Sequence, residues 1–150
     1  MVYFFVALVV LSPLIVLAIL SASATRPTNL GVVDGRLAAC PNSPNCVSTQ
    51  ATDNQHKIEA IAFGGGPEDA MTQLKAAIAT ISGMKIVTET ENYIHAEATS
   101  LIFRFTDDVE FLIDGQAKVI HFRSASRVGR SDLGANRARM ELIRKAFGQQ

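Results

Sequence analysis

Tryptophan is absent from this 150-residue chain, cysteine occurs only twice, and aromatic residues make up 7%. Two cysteines fall short of a structural zinc site, which would need at least two further ligands. The few aromatics leave a basic surface without a platform for stacking bases, which argues against nucleic acid as a partner. Net charge is missing too, because 14 Lys and Arg balance 14 Asp and Glu. No internal repeat and no low-complexity tail interrupts the chain, so a single compact domain is expected once the N-terminus is set aside.

What is present is unevenly distributed. Residues 123–145 hold seven Arg or Lys against Asp132 and Glu141, a local surplus of five, so the remainder is acidic by the same amount. A basic stretch of this kind either meets an anion or docks on the protein's own acidic half. Residues 2–20 are apolar except for Tyr3, Ser12 and Pro13. Nineteen helical residues, at about 1.5 Å each, just cross a hydrocarbon core of about 30 Å. The sequence therefore assigns residues 1–24 to a membrane anchor or a signal. Small residues at Ser21-Ala-Ser-Ala24 leave cleavage open, and no Lys or Arg precedes the run to set its orientation. A polar connector follows over residues 25–36, and the domain is expected over 37–150.

Cys40-Pro-Asn-Ser-Pro-Asn-Cys46 has two prolines and two asparagines between its cysteines. That composition excludes helix and central strand and makes a tight loop. In an exported domain the pair reads as one disulfide; free thiols and a metal or redox role are the alternatives, and a thioredoxin-type pair has two intervening residues rather than five.

Gly64-Gly-Gly66 breaks the chain, after which Pro67, Glu68 and Asp69 suit a first helical turn. Met71, Leu74, Ile78 and Ile81 recur at helical spacing, and Ser82-Gly83 supplies a stop. Four β-type runs follow at 85–90, 93–105, 109–113 and 118–124, read as an antiparallel meander. The second run changes parity, which calls for a bulge near Thr99–Ser100 or burial on both faces. The last helix is expected over about 133–147, capped by Ser131 or Asp132, with Leu133, Met140, Ile143 and Phe147 on its apolar face and an Arg137–Glu141 pair. Asn136 falls on that face and needs a partner, which would tie down the preceding loop. The fold class is α+β: a four-stranded antiparallel meander with two helices packed on one face, plus the N-terminal apolar helix.

The chemistry concentrates between the last strand and the last helix. Arg123, Ser124, Ser126, Arg127, Ser131, Asn136 and Arg137 there offer guanidinium forks, hydroxyls and a helix N-terminus, the donors that hold a phosphate or carboxylate. The competing reading is an internal lattice, with Asp107, Asp108 and Glu110 on the neighbouring strand as partners. Catalysis would need a base beside one of the serines. His121 is nearest in sequence, but the glycine-flanked elbow of a hydrolase is missing. His95, Glu97 and His121 would form a metal site only if they shared a face, and exposed strand residues explain them more simply. The sequence calls for no cofactor and no metal.

Several motifs together resemble one family. Asn29-Leu-Gly31 with Gly35-Arg-Leu37, the Cys40–Cys46 loop followed by Val47-Ser48, Phe103-Arg-Phe105, Asp107-Asp-Val-Glu-Phe111, Arg123-Ser-Ala-Ser-Arg-Val-Gly129, Ser131-Asp-Leu-Gly134 and Asn136-Arg137 are similar in order and spacing to DUF1499 domain proteins. The resemblance implies an N-terminal export or membrane segment, common in such members, and no particular activity. Ala39 stands where a proline often precedes the first cysteine, and Arg130 where an aromatic is usual.

The functional expectation is an exported or membrane-anchored domain on the extracytoplasmic side that binds an anionic small molecule or lipid headgroup at the Arg/Ser-rich loop. A structural or interaction domain of the envelope with an internal Arg–carboxylate lattice is the alternative. A Ser/His hydrolase-like enzyme is the second alternative.

Overall fold

The computed structural model describes residues 19, 21 and 24–149. The apolar helix expected over residues 2–20 lies almost wholly outside them. Among the described residues, no helix is long and apolar enough to cross a membrane.

Six strands and two helices follow one another as β1 (Cys46–Ser48), β2 (Ile61–Ala62), α1 (Pro67–Ala79), β3 (Met84–Glu89), β4 (Tyr93–Thr99), β5 (Thr106–Asp114), β6 (Val119–Ser126) and α2 (Ala135–Phe147). The antiparallel meander expected from the sequence is β3 to β6, each strand paired with the next. The sheet is nevertheless six-stranded, because β1 and β2 both add to the free edge of β6, at Arg123–Ala125 and at Val119–Ile120 respectively. Strands of three and two residues are too short to show a period-2 pattern. Between them Thr49 bridges the gap: its backbone N–H donates to Phe122 O and its hydroxyl accepts the Phe122 N–H. Edge pairing therefore continues past the end of β1 by a side chain.

The long second run is not one strand. β4 stops at Thr99, and residues 100–105 form the hairpin connection to β5, which accounts for the change of parity without a bulge there. An irregularity does occur in the β3–β4 ladder, between Ile86 and Thr88. Gly83 enters β3 at φ +79, and a Cβ there would lie 2.5 Å from Thr99 O, so only glycine allows the approach.

Helix α1 starts where Pro67 predicts, and Asp69 accepts the Gly66 N–H. Its Ala70, Met71, Leu74, Ala77 and Ile78 are buried. Helix α2 begins two residues later than expected. Asp132 caps it by accepting the Gly134 and Asn136 N–H groups, which places Leu133 in a left-handed turn at φ 54, 97% exposed rather than in the core. Arg137 does not pair with Glu141; it donates to Gln55 O and Lys57 O, and Arg144 takes Glu141 instead.

Parity divides the sheet into two unlike faces. Ile94, Ala96 and Ala98 of β4, Val109, Phe111 and Ile113 of β5, and Ile120 and Phe122 of β6 join Leu74, Ile78, Met140 and Ile143 of the helices in one core. Both helices thus cover one face. The alternate residues, Tyr93, His95 and Glu97, then Asp108, Glu110 and Leu112, then Arg123 and Ala125, look the other way. Residues 26–41 lie across that second face, with Leu37 packed against Tyr93 and Leu112. Cys40 and Cys46 are disulfide-bonded, fastening the end of this covering segment to β1.

Candidate functional site

Charged side chains fill the face beneath the covering segment. Glu110 is fully buried and accepts three donors: the Gly31 N–H at 2.7 Å, Tyr93 Oη at 2.9 Å and Arg123 Nη1 at 3.2 Å. One carboxylate therefore joins three strands to the segment above them. Burial first, and then the Glu110 charge, push the Tyr93 phenol far above its ordinary value, so it stays a donor.

A second carboxylate cluster adjoins it. Arg127 grips Asp108 in bidentate fashion, Nε to Oδ2 at 2.9 Å and Nη2 to Oδ1 at 2.7 Å, while Nη2 also reaches Glu97. His95 Nε2 donates to Asp108 Oδ1 at 2.8 Å, and Arg26 from the covering segment donates to Glu97. Burial acts to raise Asp108, but the bonds from Arg127 and His95 outweigh it and hold the carboxyl below its ordinary range. Glu97 is lowered as well, with burial opposed by Arg127 and Arg26. The Arg127 guanidinium is raised, chiefly by its bonds to Asp108 against desolvation, so it is always charged.

The signs fix how stability depends on pH. A carboxyl held lower in the folded than in the unfolded chain contributes stability that is complete above the unfolded value and is lost as pH falls through the folded one. Stability is thus expected to fall steadily below about pH 5, and Asp108→Asn should be less stable at neutral pH yet show a shallower acid limb. Denaturant titrations of both proteins from neutral pH to about pH 2 measure this.

The sequence-predicted residues do not converge on one point. Arg123 and Arg127 share the charged face. Ser124 and Asn136 lie on the helix side, where the buried Asn136 amide donates to Asn45 O and Ser126 Oγ and accepts from Ser124 and Arg139. Contrary to expectation, the Asn136 side chain does not tie down the loop that precedes its helix; it joins β6 and α2 to Asn45 of the disulfide loop, and only its backbone N–H meets the preceding loop, at Asp132. Ser131 accepts only the Leu133 N–H, and Arg137 is directed to the backbone at 55–57. Arg139, unremarked in the sequence, pairs with Asp107 on the helix side at 2.6 Å.

The partition follows from odd and even positions along β6. Tyr93 gave no sequence signal beyond strand parity, and Gly31 none beyond its place in the Asn29-Leu-Gly31 motif. His95, Glu97 and Asp108 have ligand atoms within 4.8 Å of one another, but His121 is not with them: it sits opposite Leu112 and meets Thr49 Oγ1. Arg127 already bridges the two carboxylates that a metal ion would need.

One hollow opens on these charges. A cavity of about 380 Å³ is lined by Pro27, Asn29, Ala39, Cys40 and Pro41 from the covering segment and by Asp108, Arg123, Ala125, Ser126 and Arg127 from the sheet. Arg123 is 5% exposed, and its Nε has no hydrogen-bond partner among the described residues. A buried guanidinium N–H without an acceptor is uncommon in native proteins and costs stability. A larger hollow of about 580 Å³, walled by residues such as Thr28, Val33, Leu37, Gln50 and Asp53, touches none of the buried ion pairs on the sheet.

The model of the family described as Protein of unknown function (DUF1499) matches residues 36–147, well over half the chain. The chain belongs to the DUF1499 family. No curated protein and no solved structure matches it. The DUF1499 match takes in every strand and both helices, including Asp108, Glu110, Arg123 and Arg127. Arg26 and Gly31, which close the charged face from above, precede the matched span.

Proposed function

We infer that this DUF1499 domain binds an anionic small molecule or lipid headgroup in the cavity over Arg123, outside the cytoplasm, on a chain held to the membrane by residues 2–20. The unpartnered Nε of the buried Arg123 carries the reading. An acceptor oxygen placed in the cavity would satisfy it by a charge-assisted bond. Arg26, Arg123 and Arg127 are already matched by Glu97, Asp108 and Glu110, so a guest bearing one negative charge suits the site better than a polyanion. The Cys40–Cys46 disulfide agrees with an oxidising compartment, and the apolar run in the sequence agrees with export. Among the described residues no serine hydroxyl is hydrogen-bonded to a histidine ring; of Ser43, the His56 ring meets only the backbone oxygen.

A second reading rests on the same ion pairs. Arg123 and Arg127 each hold an internal carboxylate, as a purely structural lattice requires. Native mass spectrometry of the full chain released from its own membrane separates the two. The binding reading expects an adduct with the mass of an anionic small molecule or lipid, lost in Ala39→Phe, which blocks the cavity from an exposed position while leaving the melting temperature unchanged. A bare mass for the unaltered protein favours the lattice.

A further inference from the structure

The end of the sheet where β4 turns into β5 carries exposed apolar side chains that none of the described residues covers. Leu101 is 88% and Ile102 79% exposed, and Phe103 and Leu133 are exposed beside them on the two loops of this end. The loops are neighbours, since a cavity of about 320 Å³ is walled by Ser100 and Phe105 from one and by Val128, Ser131 and Asp132 from the other. Large apolar side chains exposed together at one end of a domain mark an interaction surface. The leucine at 133 gains no burial from its left-handed turn, so folding does not explain it.

Charge at this end leans positive. Arg104 and Arg130 are exposed on the same two loops. The nearby carboxylates are engaged: Asp107 by Arg139, Asp132 by the helix cap, and Glu97 by Arg26 and Arg127. Apolar tips flanked by arginines that meet no carboxylate among the described residues complement the boundary between acyl chains and anionic headgroups.

The chain also enters the domain here. Arg26 is bound to Glu97, two residues before the end of β4, and the apolar run of the sequence ends at Leu20. The six residues from 21 to 26 span at most about 20 Å. Anything that holds residues 2–20 in a bilayer therefore holds this end of the sheet close to the same surface.

We propose that the domain sits on the membrane through this end, with Leu101, Ile102, Phe103 and Leu133 dipped into the bilayer interface and Arg104 and Arg130 among anionic headgroups. This rests on the membrane anchoring proposed above, and the test keeps the two apart. Because the chain has no tryptophan, Phe103→Trp supplies a single indole, and Gln116→Trp, on the exposed turn at the opposite end, supplies a control. Full-length chains are reconstituted into vesicles of phosphatidylcholine and phosphatidylglycerol with brominated acyl chains, floated on a density gradient and read by fluorescence.

The indole at position 103 should emit at shorter wavelength and be quenched several-fold more strongly than the one at 116. Adding Leu101→Asp and Ile102→Asp, both at exposed positions, should abolish that quenching without lowering the melting temperature. A floating chain whose indole at 103 is no better quenched than the one at 116 overturns the docking, as does quenching that survives the two aspartates. A chain that does not float overturns the anchoring, and the docking with it.

Discussion

Glu110→Gln is expected to cost about 3–5 kcal/mol, the usual loss when one partner of a buried ion pair is removed. The substitution keeps shape and volume but leaves the charge of the buried Arg123 uncompensated. Its amide also turns one of the two acceptor ends into a donor, so Gly31, Tyr93 or Arg123 must lose its bond. For a domain of this size the melting temperature should drop by roughly 10–20 °C. Limited proteolysis should then cut within residues 24–39, since Gly31 is one of the bonds holding that segment to the sheet. Adding Arg123→Met should restore part of the stability, because it removes the buried charge that the glutamine leaves uncompensated. A Glu110→Gln protein as stable as its parent would show that the pair is not formed.

Asn136→Ala should be nearly as damaging, at roughly 2–4 kcal/mol, because several buried groups lose their partner at once. The Asn136 amide fills both donor and both acceptor positions, joining Asn45 of the disulfide loop, Ser126 and Ser124 of β6, and Arg139 of α2. Alanine leaves Asn45 O and the Ser124 hydroxyl short of bonds in a place no water reaches from outside. Chemical denaturation gives the loss directly, with an unchanged slope if the fold is retained. A cost below about 1 kcal/mol would mean that the four bonds are replaced by others.

How far the sequence could be read depends on which signals are local. The Gly66-Pro67 start of α1 and the strands of the meander rest on spacing and turn residues; the helix start and three of the strands stand within about three residues of where spacing places them, while the second strand ends at Thr99 rather than at Phe105. Asp108 and Glu110 were legible as partners of the basic stretch, because consecutive strands in a meander must pair. The division of that stretch was not legible. Arg123 and Ser124 differ by one position and so belong to opposite faces; the register of β5 against β6 brings one to Glu110, and the packing of α2 on the sheet brings the other to Asn136.

Non-local contacts account for the remaining gaps. β1 and β2 are held by the free edge of β6 rather than by their own composition. Leu133 looked like core because its spacing to Met140 is helical, yet the Asp132 cap starts the helix beyond it. The role of residues 25–36 depends on where Arg26 and Gly31 land, and both land on carboxylates more than seventy residues away in the chain.

The functional account turns on a single N–H. In a ¹⁵N-labelled folded chain, arginine Nε–Hε groups give their own resonances, and Arg123 is assigned by its loss in Arg123→Lys. On titration with glycerophosphoglycerol, the account predicts a saturable shift confined to the Arg123 and Arg127 signals, with Ala39→Phe unresponsive. An Arg123 Nε–Hε signal unmoved at saturating glycerophosphoglycerol, acetate and inorganic phosphate alike would contradict it and leave the charged face as scaffold.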